Sequence, residues 1–163
     1  MLTLVVLIIV YIPMLVEARR AAANERAQLA RGGVEAAGDV YHAMRIAYPA
    51  AFLVMILEGA LRGSTSQALP AIGVAVFTAA KALKWSAILS LGRFWTFRVI
   101  TVPGAALVRI GPYRVLRHPN YVAVIGELVG TALMIGARIT GPLVTFGFGL
   151  LIVKRILVEE RAL

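Results

Sequence analysis

Five apolar runs separated by polar stretches restrict what this chain can fold into. They cover Met1–Val16, Ala43–Leu61, Leu69 to about Leu89, Tyr121 or Val122 to Gly136, and Pro142–Val158. A membrane helix needs roughly 20 apolar residues to cross ~30 Å of hydrocarbon. A chain of 163 residues, 60% of them hydrophobic, has room for about five such crossings. The mean hydropathy of +0.85 excludes an ordinary soluble domain. The expected architecture is an all-α integral membrane protein with about five transmembrane helices, one membrane domain over residues 1–163. Its last two spans, joined only by Ala137–Gly141, form a tight helical hairpin.

The first run is short, has no basic residue before it, and is followed by Glu17-Ala-Arg-Arg20. A secretory signal carries its positive charge in front of the apolar region. The reverse order predicts an uncleaved first helix with its C-terminal end in the cytoplasm. Residues 17–42 are polar and alanine-rich with a break at Gly32-Gly33, which predicts a cytoplasmic surface helix over Glu17–Gln28. Asn24, Glu25 and Arg26 are expected on its solvated face. Arg62-Gly-Ser-Thr-Ser-Gln67 reads as a turn, and Glu58, near the outer end of its helix, as a snorkelling side chain. Lys81 and Lys84 lie ~18–23 Å along the third helix from Leu69 at 1.5 Å per residue, where a lysine is expected to reach water. Residues 100–110 read as a short extended segment.

Charge settles the orientation. With the N-terminus outside, every basic residue except Arg62 and Arg138 falls on the cytoplasmic side. The net charge of +9 is thereby explained without a nucleic acid. Short outer loops suit a bacterial inner-membrane protein with its C-terminus and functional loop in the cytoplasm. The chain has no cysteine, so disulfides, zinc–thiolate sites and a cysteine nucleophile are excluded. Two histidines, His42 and His118, do not make a His-rich metal site, and no metal is expected. No feature sets an oligomeric state.

The polar stretch Gly111-Pro-Tyr-Arg-Val-Leu-Arg-His-Pro-Asn-Tyr121 opens directly into the fourth span. Each proline pushes the residue before it out of the α region, so this is a loop. Its His, Tyr and Arg side chains suit either a polar ligand or anionic lipid head groups. In an antiparallel hairpin its end is a neighbour of Glu159-Glu160. Cations, an imidazole, aromatic rings and two carboxylates then meet at the edge of a lipid-accessible bundle. That set suits a zwitterionic cofactor bearing an amine, a carboxylate and an adenosine, and lets a greasy substrate enter from the bilayer. Glu127, an ionisable residue inside a span, is a functional candidate. Its alternative is a structural pair with Lys154 or Arg155, at a similar level in the hairpin.

Four elements together, Leu91-Gly-Arg-Phe-Trp-Thr, Gly111-Pro-Tyr-Arg, Arg117-His-Pro-Asn-Tyr121 and the late Glu159-Glu160, resemble the isoprenylcysteine carboxyl methyltransferase family. Membrane phospholipid methyltransferases are its broader relatives. The resemblance runs from about Leu91 to Leu163, and residues 1–90 agree in hydropathy alone. Family members usually continue past the paired glutamates into a segment with Gly and Tyr residues, and this sequence ends at Leu163. The resemblance implies an integral membrane methyltransferase using S-adenosylmethionine. His118 and Tyr121, with Pro119 shaping the loop and Tyr113 beside them, would contact the cofactor. Glu159 or Glu160 would hold its amine. Arg117 and Arg155 would address the acceptor or the cofactor carboxylate, and Glu127 joins them as a catalytic candidate.

The resemblance further implies methyl transfer to an oxygen nucleophile of a lipophilic small molecule or an isoprenylcysteine-like substrate. A carboxylate or acidic enol is already ionised near neutral pH and needs only positioning and exclusion of water. An amine or a phenol needs deprotonation, with Glu127 or His118 as the group to consider. Three alternatives remain: a phospholipid N-methyltransferase, a nicotinamide-dependent membrane reductase, and a non-catalytic protein binding membrane lipids.

Overall fold

The computed structural model describes residues 2–62, 68–105 and 107–162. Five helices follow the apolar runs: α1 (Leu2–Leu29), α2 (Tyr41–Arg62), α3 (Ala68–Leu91), α4 (Pro119–Ile135) and α5 (Thr140–Ala162). Among the described residues, Tyr41–Arg62, Pro70–Phe94 and Thr140–Ala162 are long and apolar enough to cross a membrane, while α4 is apolar but has 17 residues. Apart from Arg62, the turn expected over 62–67 lies outside the described residues.

The surface helix expected from Glu17 is the continuation of α1, which runs unbroken to Leu29. Nothing between Val16 and Gln28 breaks a helix, and Ala, Glu, Arg and Gln are strong helix formers. The fully buried positions of α1 are Val6, Val10, Glu17, Ala21 and Gln28, spaced by four and seven residues. One stripe therefore faces the bundle along the whole helix. Its first half is apolar and joins the core; its second half turns Glu17 and Gln28 inward. Leu4, Ile12 and Leu15 point away and are exposed, as apolar side chains meeting lipid are.

The closest helix pair is α3 with α4. A Cβ added at Gly130 would lie 2.6 Å from the Phe77 backbone nitrogen, and one at Gly126 would lie 2.8 Å from the Ala80 Cβ. Gly126 and Gly130, four apart, thus form a small-residue face that lets two backbones touch. Van der Waals packing drives helix association in lipid, where no hydrophobic effect operates between helices. Phe52, Met55, Leu128 and Phe148 fill the centre of the bundle, contributed by α2, α4 and α5. Gly136, left-handed at φ 70°, ends α4, and only residues 136–139 separate it from α5. The expected hairpin is present. At this end Glu58 does not snorkel. Its carboxylate accepts the Ile139 and Thr140 amides at 2.7–3.3 Å and the Thr140 hydroxyl at 2.6 Å, and pairs with Arg62 at 3.0 Å. It satisfies the free N–H groups at the start of α5.

At the other end, residues 92–101 form a strap rather than a free loop. A 3-10 turn at Gly92–Phe94 leads into β2 (Ile100–Thr101), which pairs antiparallel with β1 (Val34–Glu35). The expected extended segment over 100–110 is thus ordered at its start. Asn24 and Glu25, expected in solvent, hold the strap instead. The Asn24 amide donates to the Gly92 and Trp95 carbonyls at 3.0 and 2.8 Å, and the Glu25 carboxylate accepts the Phe97 and Arg98 amides at 3.1 and 3.2 Å. Arg26 remains at the exposed surface.

Candidate active site

Two charged clusters lie inside the bundle. The inner one joins four helices: Glu17 from α1, Tyr48 from α2, Lys81 and Lys84 from α3, and Glu127 from α4. Lys81 Nζ lies 3.1 Å from Glu17 and 2.9 Å from Glu127, and Lys84 Nζ lies 2.9 Å from Glu17 and 3.3 Å from Glu127. The Tyr48 hydroxyl donates to Glu127 and accepts from Lys84 at 3.2 Å. The Lys84 side chain is 3% exposed, so the expected reach toward water fails. Its position along the axis is as expected, but its face of α3 is turned onto α1 and α4. Glu127 accordingly pairs with Lys81 and Lys84, not with Lys154 or Arg155.

The second cluster sits where α4 begins and α5 ends. His118 precedes the first turn of α4, and Pro119 takes the first helical position, where its missing N–H costs nothing. This puts His118 and Tyr121 on one side, their rings stacked at 5.6 Å between centroids and 25° between planes. Glu159, on the last turns of α5, accepts from the Tyr121 hydroxyl and lies 3.4 Å from His118 Nδ1. Glu160 lies 3.8 Å from His118 Nε2 and 3.5 Å from Arg117, whose side chain is 86% exposed. Such an exposed pair contributes little stability.

Arg155 binds the cluster together. Its Nε donates to the Tyr121 hydroxyl at 3.2 Å and to Glu159 at 3.3 Å, Nη1 to Asp39 at 2.7 Å, and Nη2 to the Phe97 carbonyl at 2.5 Å. Tyr113 comes from the 3-10 turn Gly111–Arg114 that precedes the loop. Burial pushes its phenol above the usual tyrosine value, and the Glu159 charge adds to the effect. The Asn120 Oδ1 atom is buried and has no hydrogen-bond partner among the described residues. A buried acceptor left unpaired is costly, and a ligand donor would satisfy it.

Arg117, His118, Tyr121, Glu159 and Glu160 thus meet at one end of the α4–α5 hairpin, as their sequence positions predicted, and Tyr113 and Arg155 join them. Glu127 does not join them. Asp39 does, and no motif announced it: it stands 116 residues from Arg155 in an otherwise unremarked polar turn. An apolar groove of about 300 Å³ opens between α2 and α5, lined by Ala47, Ala51, Val144, Phe148 and Leu151 among others. Leu151 lies one helical turn from Arg155.

Comparison with known proteins gives the family. The family model of the isoprenylcysteine carboxyl methyltransferase (ICMT) family matches residues 71–163, which include all of α4, α5 and the strap. The chain is 30% identical over 140 residues to the uncharacterized protein YpbQ of Bacillus subtilis, covering 86% of this chain and 83% of that one. It is 27% identical over 141 residues to an uncharacterized protein of Haemophilus influenzae, covering 86% and 82% respectively. No solved structure matches. The chain belongs to the isoprenylcysteine carboxyl methyltransferase family of membrane methyltransferases.

Proposed function

We propose that this protein transfers a methyl group from S-adenosylmethionine to an oxygen, carboxylate or acidic enol, of a lipophilic small molecule that enters from the bilayer. The observation that carries this reading is the convergence of His118, Tyr121, Arg155 and Glu159 at the joined ends of α4 and α5. The donor set fits the cofactor. Glu159 and Glu160 suit its ammonium, the exposed Arg117 suits a carboxylate, Arg155 holds Glu159 and Tyr121 in place, and the unpaired Asn120 oxygen offers an acceptor to a buried N–H or O–H. His118, Tyr121 and Tyr113, shaped by Pro119, supply aromatic and polar walls. When bound, S-adenosylmethionine supplies an electrophilic methyl group on a sulfonium.

The chain's own part is then to orient and to exclude water, which suits an acceptor already ionised. Glu127 is poorly placed as a general base, because two ammonium groups and a tyrosine hydroxyl already occupy its carboxylate. We assign it to the structural network. The apolar groove one turn from Arg155 supports a greasy acceptor. The charge distribution supports an orientation with the N-terminus outside and this site on the cytoplasmic side of a bacterial inner membrane crossed by the five helices.

Calorimetric titration of detergent-purified protein with S-adenosylhomocysteine tests the cofactor. Binding by the wild type that weakens at least tenfold in His118→Ala and Glu159→Ala is the expected result. A folded wild type that takes up no heat with this ligand, but binds a nicotinamide dinucleotide, would move the protein to the reductases.

A further inference from the structure

Asp39 lies in the polar turn between β1 and α2, outside the family match and without a role in any recognised motif. Its side chain is 4% exposed, and its polar contacts go to three separate elements. Oδ1 accepts from Arg155 Nη1 at 2.7 Å and from the Tyr41 amide at 3.0 Å, while Oδ2 accepts the Val99 amide at 2.9 Å. It therefore starts α2, anchors the strap and grips the guanidinium of α5 at once.

The grip has an electrostatic consequence. Asp39 and the Phe97 carbonyl occupy the two terminal nitrogens of Arg155, leaving the Nε edge for Tyr121 and Glu159. A guanidinium and a carboxylate otherwise prefer a two-pronged contact through parallel N–H···O bonds. Arg155 and Glu159 are four apart on one helix, but with Nη2 held by the Phe97 carbonyl they meet through Nε alone. With Asp39 in place, the single positive charge of Arg155 is divided between two carboxylates. Glu159 then keeps part of its negative charge, and its second oxygen faces His118 at 3.4 Å.

We infer that Asp39 is a positioning residue: by fixing Arg155 through Nη1 and taking a share of its positive charge, it keeps the Glu159 carboxylate available for the ammonium group of the cofactor. This rests on the reading of the α4–α5 end as the S-adenosylmethionine site. Losing the Asp39 charge leaves the positive charge of Arg155 to Glu159, which it then neutralises.

The test compares two ligands by calorimetry in detergent: S-adenosylhomocysteine, and its desamino analogue, which keeps the carboxylate but lacks the amine. Asp39→Asn and Asp39→Ser remove the charge while keeping a side-chain oxygen for the Tyr41 amide, since both are good helix N-caps. Asp39→Glu restores the charge. Thermal midpoints of all three identify those that fold, and any folded one decides the matter. Affinity for S-adenosylhomocysteine is expected to fall about tenfold in the Asn and Ser variants and to recover in the Glu variant, with the desamino analogue unchanged within about twofold. In Glu159→Gln the Asp39 substitution should have no further effect, because the group it protects is gone. Equal weakening of both ligands would make Asp39 a merely structural residue, and unchanged affinity for both would deny it any role; either overturns the inference. If the wild type itself does not bind S-adenosylhomocysteine, the site reading fails and the inference falls with it, a result distinct from binding that ignores Asp39.

Discussion

The two charged clusters of this bundle both set carboxylates against cations, to opposite ends. The inner cluster is balanced, with two glutamates against two lysines, each lysine bridging both carboxylates, and it is closed to solvent except at Lys81. The terminal cluster sets Asp39, Glu159 and Glu160 against Arg155 and Arg117, and grades from the buried Arg155 to the exposed Arg117. Charge that is fully compensated locks helices together; charge left partly uncompensated at an open edge is ready for a ligand. On the proposed function, the contrast separates stability from binding by place.

The largest expected effect tests the closed cluster. Lys84→Ala leaves Glu17 and Glu127 sharing one cation, and removing one partner from a buried ion network costs about 3–5 kcal/mol. The thermal midpoint in detergent should fall sharply or the folded protein should be lost. Lys84→Met combined with Glu127→Leu, which removes one charge of each sign, should recover much of that loss. A Lys84→Ala protein as stable as the wild type would show that the cluster does not hold the bundle.

Next in size is the close contact of α3 and α4. Gly130→Ala forces a methyl group to within 2.6 Å of the Phe77 backbone nitrogen, so the helices must separate. Overpacking of this kind costs about 1–3 kcal/mol. Stability should fall with no change specific to any ligand. Gly147→Ala on α5, where an added Cβ meets no atom within 4 Å, is the control and should be close to neutral.

The terminal cluster should answer in the other currency. Tyr121→Phe removes the hydroxyl that links Glu159 and Arg155. S-adenosylhomocysteine affinity should fall by about 1–2 kcal/mol, roughly five- to thirtyfold, while the midpoint moves less than in Lys84→Ala. A midpoint shift as large as that of Lys84→Ala, without a change in affinity, would erase the distinction between the clusters. The smallest effect belongs to Arg117→Ala. An exposed side chain away from packed features changes stability by no more than about 0.5 kcal/mol. Any loss of ligand affinity should shrink as salt is added, because exposed charges are screened.

Much of this organisation was legible in the chain. The apolar runs placed α2 to α5 within a few residues, because length and hydropathy are local properties. The terminal site was legible because a tight hairpin needs no long-range information: Ala137–Gly141 is so short that the start of α4 and the end of α5 must meet. His118, Tyr121, Glu159 and Glu160 followed from that alone. Other positions were hidden for a common reason. Rise per residue gave the depth of Lys84 but not its azimuth, and the face it presents depends on where α1 lies. Asn24 and Glu25 looked like solvated residues because the strap they cap is 68 to 73 residues away.

By itself, then, the sequence determined a helical membrane chain, a closing hairpin and a polar site at its open end. Hydropathy, turn chemistry and short connections act over a few residues and leave their mark in the local pattern. Only the tertiary structure decided which charges meet. Glu17 finds Lys81 across 64 positions and Asp39 finds Arg155 across 116. In a low-dielectric interior each charge takes whichever opposite partner the packing brings within ~3 Å, and no periodicity in the chain records that choice.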